Sequence, residues 1–143
     1  MATISKYGIL RHLRAEPNQF VLHFSNGKLA RSGADIKAVV GFHSGLRTVS
    51  PAAAGAIKAK ILVCIGADDP FIPAEQQSDF AAEMRAAGAD WQMHLYGGTV
   101  HSFTNKEAAR RNMPEAIRYS PDADARSWAS MQQLFAETLA ARS

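Results

Sequence analysis

The chemistry this chain could perform rests on a carboxylate and an imidazole set in two loops. Asp68 and Asp69 lie in Gly66-Ala67-Asp68-Asp69-Pro70, and His101 lies in Gly97-Gly98-Thr99-Val100-His101-Ser102. An imidazole is a competent general base near neutral pH. A buried carboxylate on its second ring nitrogen fixes the tautomer and stabilises the imidazolium. Such a pair serves acyl transfer when a hydroxyl or thiol lies within reach. The candidate nucleophiles are Ser25 in His23-Phe24-Ser25-Asn26-Gly27, Ser44 in Gly41-Phe42-His43-Ser44-Gly45, and Cys64, the single cysteine. The same residue types have plainer uses. Asp in such a loop forms turns and caps helices, a His after Gly-Gly sits on surfaces, and a Ser before Asn-Gly belongs to a turn. Spacing leaves Asp68 and Asp69 as alternatives. The other histidines, His12, His23, His43 and His94, are too scattered for a metal motif, and no cofactor is implied.

The elements around these loops alternate between strand and helix. Phe20–Phe24 reads as a strand, closed by the Asn26-Gly27 turn signal. Ile36–Phe42 reads as a second strand. Ile61–Ile65 is apolar without alternation, the mark of a strand covered on both faces, as in a parallel sheet. Pro73 opens a helix through about Ala87 with Gly88 as its stop, and Phe80, Met84 and Ala87 share its apolar face. Trp91–Tyr96 is a strand with Trp91, Met93 and Leu95 alternating against Gln92 and His94. A last helix starts at Ser120-Pro121-Asp122, with Trp128, Met131, Phe135 and Leu139 on its apolar face. This order predicts an α/β fold: a mostly parallel sheet flanked by helices, joined by right-handed crossovers. Sites in such sheets form at the loops after the carboxyl ends of strands. Here those loops are His43–Gly45, Gly66–Pro70 and Gly97–Ser102.

Composition narrows the function. The chain has 143 residues, a formal charge of +3, 47% hydrophobic and 20% charged residues. That suits one domain with a buried core. The basic residues are dispersed and lack interleaved aromatics, which argues against a nucleic-acid partner. No apolar run is long enough to cross a membrane, and Met1–Phe20 has no signal-peptide core. One cysteine excludes a disulfide framework and makes a reducing cytoplasm the simplest location.

Several strings together resemble the dienelactone hydrolase family. They are Gly66-Ala67-Asp68-Asp69-Pro70-Phe71-Ile72-Pro73, Ala86-Ala87-Gly88-Ala89-Asp90-Trp91-Gln92, and Tyr96-Gly97-Gly98-Thr99-Val100-His101-Ser102-Phe103-Thr104-Asn105. Upstream, Leu29–Lys37 and Val39–His43 resemble it too, as does Tyr119–Met131. The resemblance covers about residues 28 to 140. It implies an α/β-hydrolase acting on small lactones or carboxylic esters through a Cys-Asp-His triad, with Ser replacing Cys in some relatives. It places the acid on Asp69 and the base on His101, in the order nucleophile, acid, histidine.

The resemblance also exposes a gap. The family nucleophile sits on an elbow, Gly-x-Cys-x-Gly-Gly, expected near residue 20. Phe20-Val21-Leu22-His23-Phe24 stands there instead. Ser25 is the nearest substitute, and Ser44 matches a different family loop. Cys64 falls inside a strand, as a small core residue does. The expected organisation is a divergent leader over 1–27, followed by the C-terminal portion of the hydrolase over 28–143, without the family's N-terminal strands. Two functions follow. One is a hydrolase using Asp69, His101 and Ser25. The alternative is an inactive, truncated remnant that self-associates, its expected partner a second copy that completes the sheet.

Overall fold

The computed structural model describes residues 3–7, 10–14, 24–25, 28–29 and 36–139. The chain divides into two compact units, Met1–Ala34 and Asp35–Ser143. In the first, β1 (Thr3–Tyr7) pairs antiparallel with β2 (Leu10–Arg14), with Thr3 opposite Arg14. Two short strands follow, β3 (Phe24–Ser25) and β4 (Lys28–Leu29), also antiparallel with Ser25 opposite Lys28. The sequence between them, Asn26-Gly27, is a turn signal. Of the strand expected over Phe20–Phe24, Phe20–His23 lie outside the described residues.

The second unit is built on a three-stranded parallel sheet in the order β5 (Ala38–Phe42), β6 (Lys60–Gly66), β7 (Trp91–Tyr96). Val39 pairs with Ile61 across the first ladder, and Ile61 pairs with Trp91 across the second. Strand β6 lies between its two neighbours and is buried on both faces, as its unbroken apolar run requires. Val63 and Ile65 point into one cluster with Leu46, Ile72, Phe80 and Met84. Leu62 and Cys64 point into the other, with Phe103, Ala123 and Leu134. Each such side chain, fully buried, stabilises the fold by about 1.5–3 kcal/mol.

Helix α1 (Ala74–Ala87) buries Gln76, Phe80, Met84 and Ala87. It stops where Gly88 turns left-handed at φ 65, its N–H bonding the Arg85 carbonyl while Ala89 N–H reaches Met84. Gln76 was not foreseen on this face. Its Oε1 accepts the Leu46 N–H at 2.6 Å and so anchors the long β5–β6 connection to the helix. Glu83 does the same for the Ala52 N–H at 3.0 Å.

Helix α2 (Pro121–Leu139) packs on β5 and β6 on a face that shares Met131 with the expected one but is turned away from Trp128 and Leu139. Ala123, Ser127, Met131 and Leu134 are buried, whereas Trp128 and Leu139 are exposed and Phe135 is half-buried. Small side chains at 123 and 127 let the helix axis approach the sheet, a closeness that indole and phenyl groups would prevent. Strand β7 shows a related departure: Trp91 and Met93 pack on the α1 cluster, while Leu95 is exposed. Lys60 ties the layers at the other end of the sheet, with Nζ 2.7 Å from Asp90 and 2.6 Å from Glu137 of α2. Hydrogen bonds to these two carboxylates raise its pKa above the ordinary lysine range.

One close approach controls how the strand ends meet. A Cβ added to Gly66 would overlap the Thr99 carbonyl and lie 2.9 Å from the Val100 oxygen, both backbone. A Cβ at Gly97 meets nothing within 4 Å. Gly66→Ala is therefore expected to lower unfolding stability by about 1–3 kcal/mol in urea titrations, as overpacking does. Gly97→Ala should stay within about 0.5 kcal/mol. Equal effects of the two substitutions would contradict this packing account.

Candidate active site

The loops after β6 and β7 are bonded to each other before any side chain is considered. Ala67 N–H donates to the Tyr96 carbonyl at 2.9 Å, and Asp68 N–H donates to the Thr99 carbonyl at 3.0 Å. In the β6 loop, Asp69 N–H reaches back to Gly66, and Asp69 Oδ1 accepts the Phe71 N–H at 2.9 Å. This is the turn that a Pro-flanked Asp favours. It turns the carboxylate inward, leaving the Asp69 side chain 0% exposed.

His101 is fixed from the opposite side. Its backbone N–H donates to the Ala116 carbonyl at 3.0 Å, and its carbonyl accepts the Arg118 N–H at 3.1 Å. Ser102 follows with φ 58, a left-handed turn at the next residue. The imidazole Nδ1 then lies 2.8 Å from Asp69 Oδ2. An ionised carboxylate only accepts, so the bond places the proton on Nδ1 and leaves Nε2 with a lone pair. The His101 side chain is 16% exposed, enough for its outer edge to meet another molecule. Two rings stand edge-on to it: Phe71 at 5.2 Å and 84°, and His43 at 5.1 Å and 70° between ring centres and planes.

The structure thus brings Asp69 and His101 together and separates the two aspartates. Asp69 is buried, whereas Asp68 is exposed and holds the loop through its backbone. Ser44 Oγ bonds back to the Phe42 carbonyl at 3.4 Å, and among the described residues it makes no hydrogen bond to His101. Ser25 belongs to β3 in the first unit, and its side chain lies outside the described residues. Sequence reasoning did not single out His43, Phe71 and Thr104 individually. His43 did stand in a loop marked as functional by its place after a strand. Nothing in its residue type foretold its contact with His101.

Comparison with known proteins bears on the family and the fold. The model of the dienelactone hydrolase family matches residues 26–139. Among solved structures, the protein named m3DLH is 43% identical with a TM-score of 0.69, over 77% of this chain and 45% of its own. A dienelactone hydrolase-like promiscuous phosphotriesterase from metagenomic libraries is 40% identical with a TM-score of 0.67, over 77% of this chain and 46% of its own. A structure of dienelactone hydrolase type from Klebsiella pneumoniae, 23% identical with a TM-score of 0.55 over 71% of this chain and 42% of its own, shares the fold. The chain therefore spans less than half the length of these structures. No curated protein matches it. Among the described residues, no helix is long and apolar enough to cross a membrane.

Cys64 has the residue type of a thiol nucleophile but sits apart from the pair. It is 0% exposed in the core beneath α2, and the Tyr96 hydroxyl donates to its Sγ at 3.7 Å. Burial pushes its pKa up to about 11, since a thiolate there would lose its hydration. At pH 8 the thiol should therefore resist an aromatic disulfide reagent for hours in the native protein, then react within seconds in denaturant. Rapid reaction of the native thiol would contradict its placement.

Proposed function

Because the chain belongs to the dienelactone hydrolase family, we propose that Asp69 and His101 are the acid–base machinery of a hydrolase acting on small lactones or carboxylic esters. The observation that carries this reading is the 2.8 Å bond from a fully buried Asp69 carboxylate to His101 Nδ1. His101 Nε2 takes the proton of the attacking hydroxyl as the new C–O bond forms at the acyl carbon. It then returns that proton to the departing alkoxide, and where a side chain has attacked, water activated by the same nitrogen cleaves the acyl-enzyme, releasing the acid and restoring the hydroxyl. Asp69 stays ionised and stabilises the intervening imidazolium. Sequence order alone nominates Ser25, the residue nearest in sequence to the family's elbow, as the attacking hydroxyl. Water attacking directly through His101 is its slower substitute. The two neighbours at 43% and 40% identity support the hydrolase class, and the name of one extends the proposed substrates to phosphotriesters. The reaction is placed in the cytoplasm, where a lone thiol stays reduced.

A second reading rests on the sheet edge. Among the described residues β5 pairs only with β6, and Val39 on it is exposed. Pairing of two copies along this edge would extend the sheet without any catalysis. Light scattering on the purified chain separates the two forms: the dimer has twice the monomer mass at micromolar concentration, and a monomer throughout that range removes this reading.

Hydrolysis of p-nitrophenyl acetate tests the enzymatic reading. His101→Ala and Asp69→Asn are each expected to lower kcat/KM by about 10²–10⁴, as loss of a triad member does elsewhere. Undiminished turnover in folded His101→Ala protein would overturn the assignment.

A further inference from the structure

His43 ends β5 in a conformation that side chains other than glycine seldom adopt, with φ 42. Its own N–H donates to the Cys64 carbonyl at 2.8 Å, so the turn begins while the residue is still tied to β6. Left-handed backbone at a non-glycine residue persists only where the surroundings enforce it, and such sites cluster where function is built. Here the turn swings the imidazole across the sheet end to stand edge-on to His101 at 5.1 Å and to Phe103 at 5.4 Å. His43 Nε2 lies 3.0 Å from the Thr104 hydroxyl, three residues beyond His101 on the same loop. The β5 loop is thereby joined to the β7 loop at His101 and at the residues that follow it, Phe103 and Thr104. Phe71 stands against the other ring contact of His101 at 5.2 Å. The Asp69 bond restrains Nδ1 but leaves the imidazole free to swing about that bond, and rings placed edge-on oppose this swing.

We propose that His43 is a positioning residue for His101: its ring, oriented by Thr104, holds the base in the plane set by Asp69 so that Nε2 keeps one direction. The proposal rests on the reading of His101 as the base. Its core, the restraint of the His101 ring, is measurable whether or not that reading holds. Small errors in the direction of a base lower turnover more than binding, because alignment matters most in the transition state.

Three variants test it: His43→Ala, His43→Phe and Thr104→Val. The first two bear the same left-handed backbone, so their difference isolates the ring. Deuterium exchange at the His101 ring C2–H, followed by mass spectrometry, reports ring access without any substrate. His43→Ala should exchange at least about threefold faster than wild type, whereas Thr104→Val and His43→Phe, which keep a ring but lose the bond between positions 43 and 104, should each exchange about twofold faster. With p-nitrophenyl acetate, His43→Ala should lower kcat about tenfold with KM changed less than about twofold, and His43→Phe should recover kcat to within about threefold. Unchanged His101 exchange in folded His43→Ala protein overturns the proposal. So does a His43→Phe variant as impaired as His43→Ala. If His43→Ala does not fold, Thr104→Val decides alone, and wild-type exchange there overturns the proposal. Altered exchange in a protein that hydrolyses no ester upholds the restraint and fails only the hydrolase reading.

Discussion

A carboxylate removed from water is the constraint around which this three-stranded sheet is arranged. Isolated, the ionised Asp69 would be strongly unfavourable in the interior. Its two oxygens are instead matched by the Phe71 N–H and by His101 Nδ1. The bond to His101 therefore has two consequences. It makes the burial of Asp69 tolerable, and it places the His101 proton on Nδ1, with the lone pair on Nε2. Removing either partner strands the other, so structure and chemistry depend on the same contact.

The sheet supplies the spacing for that contact. Gly66 is the last residue of β6 and pairs with Tyr96, the last of β7, so the two loops leave the sheet at the same level. Parallel neighbours lie about 4.8 Å apart, close enough for side chains from adjacent loops to meet. The missing Cβ at Gly66 lets the Thr99–Val100 backbone cross directly above it. Helix α1 holds the β5–β6 connection through Gln76 and Glu83, and α2 closes the opposite face through Ala123 and Ser127. Each element is positioned by burial, and the pair is positioned by the elements.

Most of this scaffold was legible in the residues. The unbroken apolar run of Ile61–Ile65, the Pro73 and Gly88 boundaries and the alternation from Trp91 each correspond to an observed element. Membership of the dienelactone hydrolase family and the α/β fold were legible from ordered strings such as Gly66–Pro73 and Tyr96–Asn105. The acid was not legible from spacing, because Asp68 and Asp69 are adjacent and only a fold can bury one and expose the other. On α2 the periodicity found Met131 but missed Ala123 and Ser127, because it weights large apolar side chains and passes over small ones. Gln76 and His43 escaped notice because their roles arise from partners thirty or more residues away, Leu46 and His101. Ser25 stands as a proposal drawn from order in the sequence.

The central claim is that Asp69 sets His101 as a base with its proton on Nδ1. Nitrogen-15 NMR of the histidine rings measures this directly at pH 8. The predicted result for His101 is a protonated Nδ1 and an unprotonated Nε2, with that preference lost in Asp69→Asn protein. A His101 ring protonated on Nε2 in the wild-type chain, or a tautomer indifferent to Asp69, would contradict the account.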